Sequence, residues 1–297
     1  MTPGCAAASW VRPAGAATPA RSAPDHHLSR GSRANATLAR RYCGRISLTR
    51  AMRILVIGDS ITRGTQGVGY VPRLARWHPD WQLTNAGVNG EPLRSIGRRL
   101  LRRLEATPAA YDVVVCEAGY NDLLLPTFAG GGFWFRQALA QMRRQGHEPL
   151  ADAAAFEQAY DELIARARAL SPARFVLVTL GCLGENLATG LNGPRQAYNA
   201  AIRRVAAAHG CLLAEAGAAF DQALQRQPPR AEFRSSFASI AFTDKFWCRL
   251  GRADALSRQR GLQLTIDGGH LNSRGAELFA RAVEAPLLAL AGQGQPV

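Results

Sequence analysis

The sequence predicts an α/β protein in which helices cover a parallel β-sheet. From residue 52 onward, short apolar runs alternate with longer amphipathic stretches, and the apolar runs are continuously hydrophobic. With 297 residues, 47% of them hydrophobic and 20% charged, the chain can bury a substantial core. This composition excludes a disordered polymer, and no apolar run approaches the ~20 residues that cross a bilayer, which excludes an integral membrane protein.

Five apolar runs predict the strands, and their Val, Ile and Leu content indicates burial on both faces of the sheet. In chain order these runs are Arg53–Gly58, Trp81–Ala86, Asp112–Ala118, Arg174–Leu180 and Cys211–Ala214. The amphipathic stretches between and after them predict helices, several of which have a proline or serine near the first turn. These helices are Val71–Trp77, Pro92–Glu105, Asp152–Leu170, Pro194–His209 and Ser273–Ala291.

Two aromatic-rich segments, 123–150 and 221–265, interrupt this alternation. We interpret both as insertions near the functional site, because loops at the carboxyl ends of parallel strands form binding sites. Packing of the aromatic side chains into a peripheral core is an equally good explanation. With either explanation, residues 52–297 are expected to form one domain.

The first 51 residues differ from the rest of the chain. They are rich in Ala, Arg, Ser, Pro and Gly, show no periodicity and contain no apolar stretch typical of a secretory signal. Their Arg-rich, acid-poor composition resembles an organelle transit peptide, but Met52 directly precedes the first predicted strand. We therefore expect residues 1–51 to be a disordered tail, or sequence upstream of a natural start at Met52.

The formal net charge of +14 suggests a nucleic-acid partner, but the distribution of the charge does not. Residues 1–51 contain eight arginines and one acid, Asp25, so this stretch carries half of the excess. The helix predicted for 92–105 carries a second group of basic residues, Arg94, Arg98, Arg99, Arg102 and Arg103. A solvated helix face is the simpler explanation for this group, so we expect no nucleic-acid partner, and a basic binding module without catalytic activity is the alternative.

The six cysteines, at positions 5, 43, 116, 182, 211 and 248, include no CxxC pair. Their spacing therefore indicates neither a zinc site nor a redox motif. Three of them lie in or beside apolar runs, where a free thiol packs as a small hydrophobic group. A reducing compartment is the simplest explanation, and we expect a cytoplasmic protein.

Two motifs at strand ends contain a serine hydroxyl group and a glycine-rich loop. The first strand ends in Gly58-Asp59-Ser60, a position at which open parallel sheets bind ligands, although a serine there is often only a helix N-cap. The second strand is followed by the loop 85–91, whose glycines either bring backbone N–H groups to a ligand or form an ordinary turn.

Two further motifs add an amide and an acid–base pair. Asn121, after the third strand, directs its amide into the same space or forms a turn with Asp122. Asp267 and His270 lie close enough for the carboxylate to hold the imidazole, or for the pair to cap the following helix. A serine nucleophile needs a base, a carboxylate that orients the base, and donors for the oxyanion. Turns and helix caps could explain each motif separately, but they do not explain why all these groups occur together.

The four motifs resemble those of the SGNH hydrolases, also called GDSL esterases or lipases. All four occur in family order, the resemblance extends from Met52 to the C-terminus, and residues 271–275 also match. Two departures, Ile61 in place of leucine and Glu91 in place of aspartate, do not involve reacting groups. The resemblance implies a three-layer α/β/α sandwich with a flavodoxin-like parallel sheet of about five strands.

The resemblance also implies a catalytic role for three residues. Ser60 is the expected nucleophile, His270 the expected general base, and Asp267 the carboxylate that orients His270 and stabilises its protonated form. The reaction of such a triad needs neither a metal nor an organic cofactor, and we expect none.

The oxyanion hole implied by the resemblance consists of three donors. They are the backbone N–H groups of Ser60 and Gly90 and the side-chain amide of Asn121, with Gly87 as the alternative to Gly90. The expected function is a serine esterase that hydrolyses carboxylic esters or thioesters of a small molecule, a lipid or an acetylated sugar through an acyl-enzyme. An acyltransferase with the same triad is the alternative. The aromatic residues of the two insertions favour an apolar acyl or aryl group.

Overall fold

The computed structural model describes residues 51–226 and 243–293. The chain forms a five-stranded sheet of order β2-β1-β3-β4-β5 in which all neighbouring strands are parallel. The strands are β1 (Arg53–Gly58), β2 (Gln82–Gly87), β3 (Val113–Glu117), β4 (Arg174–Val178) and β5 (Leu212–Ala214). This confirms the predicted α/β fold, and each strand end lies within two residues of its predicted position.

Helices connect the strands and pack in two groups, one containing α3, α6 and α7 and the other α2, α8 and α11. The helices are α1 (Ser60–Arg63), α2 (Val71–Trp77), α3 (Leu93–Ala106), α4 (Tyr120–Leu124), α5 (Phe133–Arg144), α6 (Ala153–Leu170), α7 (Asn192–Ala208), α8 (Ala216–Gln225), α9 (Asp244–Arg249), α10 (Ala253–Gln259) and α11 (Ser273–Gln293). The five predicted helices correspond to α2, α3, α6, α7 and α11. Of the helices that were not predicted, α1, α4, α9 and α10 are too short to show an amphipathic pattern. The longer α5 and α8 are amphipathic and were missed, α5 because it lies in a segment interpreted as an insertion.

The expectation that every strand is buried on both faces is wrong for the edges of the sheet. The inner strands β1, β3 and β4 are almost completely buried, whereas β2 exposes Gln82 and Asn85, and β5 is only partly buried. An edge strand has one neighbour instead of two, so its side chains receive less cover.

Three parts of the chain fall outside the described residues. Residues 1–50, to which the expectation of a disordered or upstream segment applies, are one of them. The others are 227–242, within the second aromatic-rich segment, and 294–297. Among the helices that are described, none combines the length and the apolar character needed to span a bilayer.

The carboxyl ends of β1, β2 and β3 lie side by side at one edge of the sheet, because these strands are adjacent and parallel. The segment before α11 reaches the same region through an antiparallel bridge between Thr265 and Leu271. The Val68 N–H donates to the Leu271 carbonyl, and the Gly184 N–H donates to the Gly268 carbonyl, both at 2.7 Å. Four separate parts of the sequence therefore meet at this edge.

Candidate active site

Ser60 lies at the carboxyl end of β1, as the first residue of α1. The N-cap of α1 is Asp59, whose Oδ1 accepts a hydrogen bond from the Ile61 N–H at 2.9 Å. The interpretation of Ser60 as an N-cap is therefore wrong, because its neighbour occupies that position. The Ser60 hydroxyl instead contacts His270, with 3.0 Å between Ser60 Oγ and His270 Nε2.

Asp267 and His270 extend this contact into a hydrogen-bonded chain. His270 Nδ1 lies 2.7 Å from Asp267 Oδ2. Asp267 Oδ1 accepts the backbone N–H groups of Gly269 at 3.0 Å and of His270 at 2.8 Å, so the carboxylate is held by its own turn. With Nδ1–H donating to Asp267, Nε2 is free to accept the Ser60 proton.

The electrostatics of the pair favour an ionised Asp267 and a basic His270. Burial opposes ionisation of Asp267, but the charge and hydrogen bonds of His270 outweigh it and lower the pKa of Asp267. Burial likewise opposes protonation of His270, yet the charge and hydrogen bond of Asp267 raise the pKa of His270 above its usual value. His270 therefore binds a proton more readily than a free histidine does.

Glu185 fixes the segment that leads into Asp267. Its carboxylate accepts three successive backbone N–H groups, those of residues 263–265, and the Thr265 hydroxyl, at 2.7 to 2.8 Å. The Thr265 hydroxyl oxygen in turn accepts the Gly268 N–H at 3.2 Å. Sequence reasoning did not identify Glu185, because its partners lie about eighty residues away along the chain.

Gly90 and Ser60 line one cavity together with Asn121 and His270. Gly90 has a φ of 78°, a conformation that disfavours other residues, and a Cβ there would collide with Met142. Neither the Ser60 nor the Gly90 N–H donates a hydrogen bond to any residue that the structure describes. Both N–H groups are therefore free to bind a ligand.

Gly87, the alternative to Gly90, has no place in this cavity. Its N–H donates to Asn85 Oδ1 at 2.9 Å, and a Cβ at this position would overlap the backbone of Arg63. Its glycine identity is explained by this close approach to α1, so the geometry favours Gly90 as the oxyanion donor.

The Asn121 amide is held by two acceptors. Asn121 Nδ2 donates to Asp59 Oδ2 at 3.0 Å and to the Glu91 carbonyl at 3.1 Å. The first contact, with a fully buried carboxylate, fixes the orientation of the amide group. To stabilise an oxyanion, Asn121 must share the N–H that now donates to Glu91.

Three carboxylates lie buried below the site, and although Asp59 and Asp122 belong to the motifs found in the sequence, their burial was not predicted. Glu117 Oε2 accepts the Asp59 N–H at 3.1 Å, and Asp122 accepts the backbone N–H groups of Leu93 at 2.9 Å and Leu150 at 3.0 Å. Burial, followed by the charge of Glu117, raises the pKa of Asp59, and burial raises the pKa of Glu117 as well. Burial also raises the pKa of Asp122 to about 6. The sequence contained one indication of this group, because Glu117 lies inside the apolar run that forms β3.

Arg99 belongs to the predicted basic face of α3 but points towards the site loops. Arg99 Nε donates to Glu91 Oε2 at 2.7 Å, and the two other nitrogens donate to the carbonyls of Ala86 at 2.7 Å and Gly58 at 3.1 Å. The guanidinium therefore joins the ends of β1 and β2 to the loop that carries Gly90. Arg99 therefore has a structural role, whereas the other four arginines of this group lie on the exposed face of α3.

The cavity that contains Ser60 has a volume of about 280 Å³ and is mainly apolar. Segment 123–150 contributes six of the lining residues, Leu124, Leu125, Phe128, Phe135, Ala138 and Met142. Phe133 and Trp134 of the same segment are exposed instead. From segment 221–265, Lys245 lines the cavity, whereas Phe246 and Trp247 are exposed. In the described parts of the chain, no three His, Cys, Asp or Glu side chains are arranged to hold a metal.

A comparison with protein-family models identifies the class to which this fold and site belong. Residues 56–278 match the model of the GDSL-like lipase/acylhydrolase family. The chain belongs to this family, which confirms the resemblance found in the sequence, and it is an ester-hydrolysing enzyme. The search of curated proteins finds no match.

Solved structures similar to this chain have the same fold. An α/β hydrolase, LAE5, from the metagenome of Lake Arreo, Spain, is 24% identical with a TM-score of 0.51, and the match covers 79% of this chain and 94% of that one. The acetylxylan esterase Axe2 of Geobacillus stearothermophilus is 20% identical with a TM-score of 0.51, covering 79% and 93%. The acetyl xylan esterase AlAXEase is 19% identical with a TM-score of 0.54, covering 80% and 100%.

Proposed function

We propose that the chain is a serine esterase that hydrolyses carboxylic esters through an acyl-enzyme on Ser60. The observation that carries this proposal is the hydrogen-bonded chain from Ser60 Oγ through His270 to Asp267, with contacts of 3.0 and 2.7 Å. A serine, a histidine and an ionised carboxylate at these distances form a nucleophile, its base and the group that orients the base.

In the first half of the reaction, Ser60 Oγ attacks the ester carbonyl and its proton moves to His270 Nε2. The negative charge on the carbonyl oxygen is stabilised by the N–H groups of Ser60 and Gly90 and by the Asn121 amide. The C–O bond to the alcohol then breaks, and His270 gives its proton to the departing oxygen. The products of this half are the free alcohol and an ester on Ser60.

In the second half, water replaces the alcohol. His270 accepts a proton from the water as its oxygen attacks the acyl-enzyme, and this proton returns to Ser60 Oγ when the acid leaves. The apolar lining of the cavity supports an acyl group larger than acetyl, because Leu124, Phe128 and Met142 offer it hydrophobic contacts. We assign this activity to the domain formed by residues 52–297.

The test compares wild type with Ser60→Ala on a series of esters from acetyl to decanoyl. We expect activity highest on chains longer than acetyl and a loss of several orders of magnitude in kcat for Ser60→Ala, because no other group replaces the nucleophile. Near-wild-type activity of Ser60→Ala would contradict the proposal. Product analysis in the presence of glycerol or a sugar separates hydrolysis from transfer, and a dominant acylated acceptor would identify a transferase.

A further inference from the structure

A second cavity borders the one that contains Ser60, and its lining is of opposite character. We call it the basic cavity, because Arg63, Lys245 and Arg249 are among the residues that line it. Asn89 and Lys245 line both cavities, so the two cavities adjoin at these residues. Lys245 is the only lysine of the chain, whose other basic residues are arginines and histidines.

The charges of the basic cavity are not compensated by neighbouring acids. Within the described residues, none of its three cations forms an ion pair, whereas Arg53, Arg195 and Arg203 each pair with a carboxylate at 2.5 to 2.9 Å. Lys245 is half-buried, whereas Arg63 and Arg249 are exposed, so solvent weakens the repulsion among the three, and a bound anion would meet three unpaired cations.

Buried contacts hold α9, the helix that carries Lys245 and Arg249. Arg260 donates to both oxygens of the fully buried Asp244, at 2.9 and 2.7 Å, and also to the Ile266 carbonyl at 2.7 Å. Cys248 Sγ, also on α9, accepts the Gly67 N–H at 3.1 Å. These contacts tie α9 to the residue that precedes Asp267, so the helix that carries the two cations lies beside the catalytic loop.

The two cavities suit different parts of an ester substrate. The apolar cavity suits the acyl chain, so the alcohol must leave on another side of Ser60. His270 protonates the departing oxygen, and Lys245 lines the Ser60 cavity together with His270. An alcohol that departs past Lys245 therefore reaches the basic cavity, which Lys245 also lines.

We propose that the basic cavity binds a phosphoryl group carried by the alcohol part of the substrate, while the acyl chain occupies the apolar cavity. Three cations suit the double negative charge of a phosphate monoester, and arginine and lysine are the side chains that bind phosphate most effectively. The substrates are thus fatty or short-chain acyl esters of a phosphorylated alcohol. This inference rests on the proposed function of Ser60.

The test compares a neutral ester with its phosphate monoester, 2-(butyryloxy)ethanol and 2-(butyryloxy)ethyl phosphate, and includes 4-butyryloxybutanoate as a carboxylate for comparison. We expect kcat/KM of the wild type to be roughly 10–100-fold higher for the phosphate ester than for the neutral ester, from hydrogen bonds to a charged group. If kcat/KM for the carboxylate ester equalled kcat/KM for the phosphate ester, the basic cavity would bind anions in general, and the assignment of a phosphoryl group would be overturned.

We define the phosphate preference as kcat/KM for the phosphate ester divided by kcat/KM for the neutral ester. The variants Lys245→Gln and Arg249→Gln should each lower this ratio about tenfold, and Lys245→Arg should retain most of the wild-type ratio. Arg258→Gln is the matched control, because Arg258 is an exposed cation on the neighbouring α10 and does not line the cavity. This variant should keep the wild-type ratio. Circular dichroism confirms that each variant is folded.

Inorganic phosphate gives a second measurement that does not depend on the choice of ester. We expect it to inhibit hydrolysis of the neutral ester competitively, and to do so more weakly in Arg249→Gln. A wild-type ratio at or below one, or equal ratios in all variants, would overturn the basic cavity as a phosphoryl site while leaving Ser60 as the nucleophile. Loss of the esterase itself is recognised separately, by equal rates of wild type and Ser60→Ala.

Discussion

Replacing Asn121 by alanine tests two consequences of its position at once. The substitution removes one of the three proposed oxyanion donors, and the loss of such a donor in serine hydrolases costs about 10²–10³-fold in kcat. It also removes the donor to the fully buried Asp59 Oδ2, at 3.0 Å, and a buried acceptor without its partner costs about 1–3 kcal/mol of stability. We therefore expect a large fall in kcat with little change in KM, together with a lower free energy of unfolding.

Asn199→Ala is the matched control for this experiment. Asn199 is also buried and also makes two hydrogen bonds, accepting the Leu180 N–H at 2.7 Å and donating to the Leu180 carbonyl at 3.0 Å, but it lies on α7 away from the cavity. Its loss should lower stability by a similar amount and leave kcat within a few-fold of wild type. Steady-state kinetics and urea unfolding measure both quantities. If Asn121→Ala lost no more kcat than Asn199→Ala, the Asn121 amide would not be an oxyanion donor.

Three further predictions follow from the same geometry. Asp267→Asn should lower kcat by roughly 10³–10⁴-fold, because the amide no longer holds the His270 tautomer that accepts the Ser60 proton; a loss below tenfold in steady-state kinetics would contradict this role. The charge and hydrogen bond of Asp267 outweigh burial and raise the pKa of His270, whose proposed role as a base requires the neutral imidazole. The value of kcat/KM should therefore fall with decreasing pH around a midpoint above ~6.5, and a pH–rate profile with a lower midpoint would be inconsistent with this account. Ala138→Phe should fill part of the apolar cavity and lower kcat/KM for octanoyl esters more than tenfold relative to acetyl esters, whereas equal losses on both would show that the acyl chain lies elsewhere.

The sheet and the positions of the site loops were predictable because they follow from local patterns. Continuous apolar runs such as 113–115 identify inner strands, and parallel neighbours bring their carboxyl ends together. The proximity of Asp267 to His270 was predictable too, since both lie in one turn. The exposure of β2 was missed for another reason: its apolar run was taken as buried on both faces, although the flavodoxin-like strand order implied by the resemblance places β2 at an edge of the sheet.

The groups that support the site could not be predicted, because their partners are distant in sequence. Glu185 holds residues 263–265, and Arg99 joins the ends of two strands, yet neither has a local pattern that distinguishes it from a surface residue. The contacts of His78 and His209 could not be predicted from the sequence either. Neither has an acid at the spacing of Asp267, but they contact Glu284 at 2.6 Å and Asp161 at 2.8 Å from other helices.

The central claim is that Ser60 becomes acylated and that His270 activates it. Rapid mixing with a nitrophenyl ester, acid quenching and mass spectrometry of the digested protein measure this directly. We predict an added acyl mass on the peptide that contains Ser60 in the wild type, a greatly slowed appearance of it in His270→Ala, and none on that peptide in Ser60→Ala. An acyl group on any other residue, or formed at the wild-type rate in His270→Ala, would contradict the account.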